Sequence, residues 1–217
     1  MKRIVCALLF AVMLVCCFTG CSTTFDAKAH IQGNLDVIYF GKVTDEYLAI
    51  TDATKEELLD VYADGLEIEA KYFAKYFDID LDLAPEGTLD RIVELYKEIY
   101  SYSKYEIGEP VKSGEDYLVS VTIHPIDIMM QVNENWEAVF EANWMAFAAT
   151  EEYMDLTEEE IEALWADETI KFVESYIPNI GYMEPEIISI EVNKGEDDVY
   201  AISDNDFGRI DTLIIQY

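Results

Sequence analysis

Near Lys104 the spacing of apolar side chains changes. Before it they recur every three or four residues, the period of a helix with one buried face. After it they alternate: Tyr105 and Ile107, then Tyr117, Val119, Val121 and Ile123. A period of two belongs to a half-buried strand. The switch recurs at Ile188, Ile190 and Val192, followed by Val199 to Ile202. A loop over Pro110 to Gly114 joins the first pair of runs, a turn at Asn193-Lys194-Gly195 joins the second, and Pro125 ends the first hairpin. Two hairpins among helical stretches predict an α+β fold, an antiparallel sheet built from two β-hairpins packed against several amphipathic helices.

The helices have start and stop signals. Asp26 to Phe40 spaces Ala29, Ile31, Leu35 and Ile38 as one apolar face, with Gly41 as C-cap, and Thr44 to Ile50 suits a short turn of helix. Thr54-Lys55-Glu56-Glu57 and Thr157-Glu158-Glu159-Glu160 each have the form of a capping box. The first opens a helix carrying Leu58, Tyr62, Leu66, Ala70, Phe73 and Phe77, and the second one carrying Ile161, Leu164, Trp165, Phe172 and Tyr176. Thr88 is read as the cap of a helix with Leu89, Ile92, Tyr96, Ile99 and Tyr100. One helix is expected from Ile126 to about Ala149, and a short closing helix around Phe207 to Ile214.

The N-terminus is an address. Met1-Lys2-Arg3 precedes an uncharged apolar run from Ile4 to Cys17, the order of a secretory signal peptide. Phe18-Thr19-Gly20-Cys21 follows and resembles a bacterial lipobox, in which the cysteine receives diacylglycerol and fatty-acyl chains such as palmitate. The expected organisation is a lipoprotein signal peptide over residues 1–20, a lipidated N-terminus and tether over 21–25, and a single acidic α+β domain over 26–217. All four cysteines lie at or before Cys21, so the mature chain has no disulfide and must hold by packing. The tether from Cys21 to Asp26 reaches about 15 Å when extended. It would hold the domain near the outer face of the membrane.

Acidic residues number 45 against 14 basic ones, a formal net charge of −31. Such a charge repels polyanions and excludes nucleic acid as a partner. With 15 Tyr, 10 Phe and 3 Trp the chain is too apolar for acidic disorder. No Gly-x-Ser-x-Gly elbow, His-Glu-x-x-His pair or glycine-rich phosphate loop occurs, and the two histidines, His30 and His124, stand far apart. No catalytic residue, cofactor or metal site is therefore assigned. Asp78, Asp80 and Asp82 have the spacing of the first ligands of a calcium loop, but Leu83 and Leu89 stand where its glycine and glutamate belong. They are expected to share a solvent face of an extended segment, with Ile79 and Leu81 packing inward.

From Ser113 to Ile170 there are 15 acidic residues and no lysine or arginine, and all three tryptophans lie there. Aromatic faces beside carboxylates suit a cationic ligand or a basic protein partner. Trp136, Asn143, Trp144 and Trp165 would also line a sugar cleft. Trp136 and Trp165 fall on the apolar stripes of their helices, whereas Trp144 does not, so Trp144 is the candidate for an exposed contact aromatic.

Asp26-Ala27-Lys28-Ala29, Gln32-Gly33-Asn34-Leu35-Asp36, Thr54-Lys55-Glu56-Glu57-Leu58, Leu95-Tyr96-Lys97 and Val119-Ser120-Val121-Thr122-Ile123-His124-Pro125 together resemble small surface lipoproteins of Gram-positive bacteria. That resemblance implies attachment to the outer leaflet of the cytoplasmic membrane and brings no catalytic residues. The first expectation is a non-enzymatic, membrane-anchored binding or interaction protein. The alternatives are a solute- or cation-binding receptor component and a carboxylate-dependent cell-wall hydrolase.

Overall fold

Both alternating stretches form strands of one antiparallel sheet, and the fold is α+β. The computed structural model describes residues 25–195 and 199–217. These fall into two compact units: the first holds the chain up to Gly65 with Ser103–Pro125 and Met183–Ile214, the second Leu66–Tyr102, Ile126–Tyr182 and Ile215–Tyr217.

The first unit contains the sheet: β1 (Lys104–Ile107), β2 (Val111–Ser113), β3 (Asp116–His124), β4 (Glu186–Lys194) and β5 (Tyr200–Ile202). The order is β1-β3-β4-β5, with β2 also paired to β3. Val119 sits opposite Ile190 and Val121 opposite Ile188, so the inward positions of both strands coincide and are buried. That shared face is why the register holds; a slip of one residue would turn it to solvent.

Two expectations about the hairpins are corrected. The loop over Pro110 to Gly114 contains β2, whose three residues are all exposed, so no alternation marks it. Gly114, at φ 70°, makes the tight turn between Ser113 and Asp116 that lets the strand fold back. In the second hairpin Asn193 and Lys194 continue β4, paired with Ala201 and Tyr200, and Gly195 donates to the Val199 carbonyl.

Helix α1 (Ala27–Phe40) packs on β1 and β3, and α9 (Asp204–Ile214) on β3 and β4. Gly41 closes α1 in the left-handed region at φ 59°, as its position suggests. Helix α2 (Asp45–Leu48) brings Tyr47 against Val37 and Leu58. The Tyr47 ring lies where a side chain on Gly33 would stand, a Cβ there meeting Cδ2 at 2.0 Å. Asp36, buried on α1, accepts from the Tyr105 hydroxyl at 2.6 Å, from Gln32 at 2.7 Å and from Lys42 at 2.8 Å. Burial chiefly, and Asp36 next, push the Tyr105 hydroxyl far above its ordinary pKa, so it remains a donor.

Helix α3 (Lys55–Tyr76) begins at the Thr54 box: Thr54 N–H donates to Glu57 Oε2 at 2.8 Å, and Glu57 N–H to Thr54 Oγ1 at 3.2 Å. Its Phe73, followed by Phe77 just past its end, lies in the second unit. So do α4 (Thr88–Tyr100), α5 (Ile128–Asn135), α6 (Ala142–Ala148), α7 (Glu151–Met154) and α8 (Glu158–Glu174). Thr88 is not the cap of α4. Gly87 is, at φ 90°, because that left-handed turn follows Pro85 and no side chain bonds the first amides.

The expected helix from Ile126 to Ala149 is also corrected. It starts at Ile128, and between α5 and α6 the chain winds as a π-helix over Trp136–Glu141. A further short helix, α7, then precedes the Thr157 box, whose two reciprocal bonds are formed at 2.9 and 3.2 Å. On α8 the buried face is Ala166, Thr169, Ile170 and Val173; the predicted face of Leu164, Trp165 and Phe172 is only half-buried.

Candidate functional site

The half-buried face of α8 divides: Trp165 packs on Trp136 and Phe140. Leu164 and Phe172, with Glu168, Lys171 and Ser175, form one wall of a cavity of about 530 Å³. Opposite stand Phe140 from the π-helix and Asn143, Trp144 and Phe147 from α6. The volume is that of an ordinary small-molecule site, and four aromatic rings and a leucine beside four polar or charged side chains give it both apolar surface and groups that can orient a ligand.

The π-winding shapes this wall. At about 100° per residue, position i+5 of an α-helix lies well round from position i. The i→i+5 winding brings them to one side, and here the Trp136 indole N–H donates to Glu141 Oε1 at 2.9 Å. Trp136 and Phe140 stack with centroids 4.2 Å apart, and Phe140 reaches both Trp165 and Phe172 at 5.2 Å. Single π-turns recur at functional sites, where the extra residue re-aims the side chains around it.

Trp144 is half-buried, its ring edge-on to Trp165 at 5.0 Å and against Phe147 and Tyr153. The Trp165 N–H is used by the Phe77 carbonyl at 2.8 Å. Trp144 N–H makes no hydrogen bond among the described residues. Helix α6 buries none of its residues, although Ala142 to Thr150 contains no charge, and its Met145 is 67% exposed. An uncharged helix without a buried residue is unusual in a chain with so many carboxylates.

Lys171 is the one cation in the lining, and it is answered locally. Its Nζ lies 2.6 Å from Asp167 and 3.2 Å from Glu168. Lys171 foremost, and Arg91 after it, hold the Asp167 carboxyl below its ordinary pKa. Arg91 on α4 braces α8 by bonding Asp167 at 2.6 Å and Glu174 at 3.0 Å. No lysine or arginine stands over the rings of the cavity among the described residues.

Of Trp136, Asn143, Trp144 and Trp165, read together as a cleft lining, only Asn143 and Trp144 line the cavity; Trp136 and Trp165 pack against Phe140, which does line it. Ser175, Glu168 and Lys171 carried no recognisable signal: a serine after a helix and an ion pair on it are common on any surface. Cys21 lies outside the described residues. Asp78, Asp80 and Asp82 form a turn, not the extended segment expected. Asp78 ends the helix at φ 53°, Asp82 N–H donates to Asp80 Oδ1 at 3.0 Å, and Asp80 N–H to Glu162 at 2.9 Å. Ile79 packs inward; Leu81 is only half-buried. Among the described residues no group of three or more His, Cys, Asp or Glu is arranged to hold a metal ion. His124 lies 3.7 Å from Glu106 beside β1, and His30 is buried on α1 near Phe25 and Tyr47.

No protein-family model matches the sequence, and no curated protein matches it. Among solved structures, the fold is similar to that of the putative lipoprotein ycdA from Bacillus subtilis, with a TM-score of 0.57 at 14% identity. The alignment covers 88% of this chain and 56% of that one, so the chain spans little more than half the length of ycdA. The likeness is one of fold. No helix among the described residues is long and apolar enough to cross a membrane.

Proposed function

We propose that the chain is a non-enzymatic binding lipoprotein, anchored through acylated Cys21 on the outer face of the cytoplasmic membrane, which takes its ligand in the Trp144 cavity. The cavity carries this reading: about 530 Å³, with aromatic rings on both walls, Phe140 of the π-helix among them, and bordered by an uncharged helix that buries nothing. The order of basic start, apolar run and lipobox supports the anchor, and a fold shared with a putative lipoprotein agrees with it.

A binding role fits the chemistry better than hydrolysis. Glycoside cleavage uses two carboxylates facing each other across the bond. Among the lining residues Glu168 is the only one, and Lys171 is its partner.

The anchor and the site are tested separately. Fatty-acid labelling in cells should be abolished by Cys21→Ala; persistent labelling would refute the anchor. For the site, a thermal-shift screen of small amphipathic molecules should give hits that raise the melting temperature of the parent protein and not of Trp144→Ala. Hits acting equally on both, or none at all, would remove the cavity as the binding site.

A further inference from the structure

We infer that the Trp144 cavity selects a small organic cation, an ammonium or amidinium group carried on an apolar body. The inference rests on the cavity being the binding site and adds the charge of its ligand.

Two observations point the same way. The rings of Phe140, Trp144, Phe147 and Phe172 offer the surface for an apolar body, and aromatic faces attract cations. The charge around them is one-sided. The π-helix and α6 wall belongs to the stretch from Ser113 to Ile170, which has no lysine or arginine. On the α8 wall, Lys171 is balanced by Asp167 and Glu168 together, and Asp167 is shared with Arg91. Lys171 and Arg91 against Asp167, Glu168 and Glu174 thus leave one negative charge on this side, and Glu141, bonded to the Trp136 indole that stacks on Phe140, adds another. An anionic ligand would meet this field with its charge repelled.

All three tryptophans lie in this cluster, so intrinsic fluorescence reports on the cavity directly. The probes are phenylpropyltrimethylammonium, its neutral isostere with carbon in place of nitrogen, and phenylbutyrate. The cation should quench and bind, with the isostere about tenfold weaker, between the size of an exposed and a fully desolvated cation–π contact, and the carboxylate weaker still. Glu168→Gln, at an exposed position, should bring the cation down towards the isostere and leave the isostere unchanged. Trp144→Ala should weaken both. An isostere or a carboxylate that binds as tightly as the cation overturns the charge assignment while the cavity remains the site. An oligolysine peptide that binds where the phenyl cation does not makes the surface one for a basic protein, and overturns it too. If no probe binds, the assignment fails, and the screen with Trp144→Ala decides on the cavity independently.

Discussion

The indole of Trp144 stands edge-on to that of Trp165, with ring centres 5.0 Å apart and planes 73° from parallel. The two rings have different duties. Trp165 is tied to the Phe77 carbonyl and touches Trp136 and Phe140, whereas Trp144 belongs to a helix that buries nothing.

Their removal should therefore separate. Trp165→Ala strips a packed ring and leaves a carbonyl unpaired, costing about 3 kcal/mol or more. Trp144→Ala loses an edge-on contact worth about 1 kcal/mol. Urea unfolding of the two variants measures the difference; equal losses would mean that α6 belongs to the core.

Gly33→Ala is expected to destabilise the first unit by about 1–3 kcal/mol, because the new methyl meets a fully enclosed Tyr47 ring. Gly208→Ala in α9 is the control. Nothing lies within 4 Å of its added Cβ, so the better helix former should stabilise by about 0.5–1 kcal/mol. Thermal melts that move the same way for both would contradict the packing.

Thr169 on α8 is wholly buried and its hydroxyl has no hydrogen-bond partner among the described residues. Thr169→Val keeps the shape and removes the unpaired group, so stability should rise by about 1 kcal/mol. A loss on chemical denaturation would show that the hydroxyl has an acceptor after all.

Two groups of the first unit give opposite pH dependences. Burial lowers the His30 pKa from 6.5 to about 4. The folded state then binds fewer protons than the unfolded one, so this contribution is complete above pH 6.5 and is lost as pH falls through about 4. At 1.36 kcal/mol per unit its upper bound is about 3 kcal/mol. Burial chiefly, opposed by a hydrogen bond from Tyr39, raises the Asp211 pKa to about 6. Its contribution is present below pH 3.8 and is lost as pH rises through about 6. Between pH 4 and 6 the two slopes oppose each other, so in His30→Gln the unfolding free energy should fall as pH rises through that range, more steeply than in the parent, whatever its absolute stability. Asp211→Asn should gain stability at pH 8 and not at pH 4.

Local features were legible from the sequence because their causes are local. Thr54 and Thr157 sit three residues before their glutamates, and Gly41 can adopt the left-handed cap whatever packs beside it. Alternation from Tyr117 to Ile123 and from Ile188 to Val192 is enforced by one buried face, and the sheet follows. Strand β2 was not legible, since three exposed residues bury no face. Nor was the π-helix, because one inserted residue hardly disturbs a 3.6-residue period read over twenty positions. The border of the two units falls at Gly65 within α3, where no change in composition marks it.

The sequence by itself determined the α+β class, the caps at Gly41, Thr54 and Thr157 and the uncharged run at Ala142 to Thr150, since each depends on neighbours along the chain. Only the tertiary structure decided that Leu164 and Phe172 form a wall and not the core face of α8, while Trp165 packs on Trp136 and Phe140. It also decided that Lys171 is held by Asp167 and Glu168, and that Phe140 and Trp144 close the cavity from the other side. A helical period shows that a face is apolar. What covers that face is set by helices distant in the chain, through the π-turn that re-aims one of them.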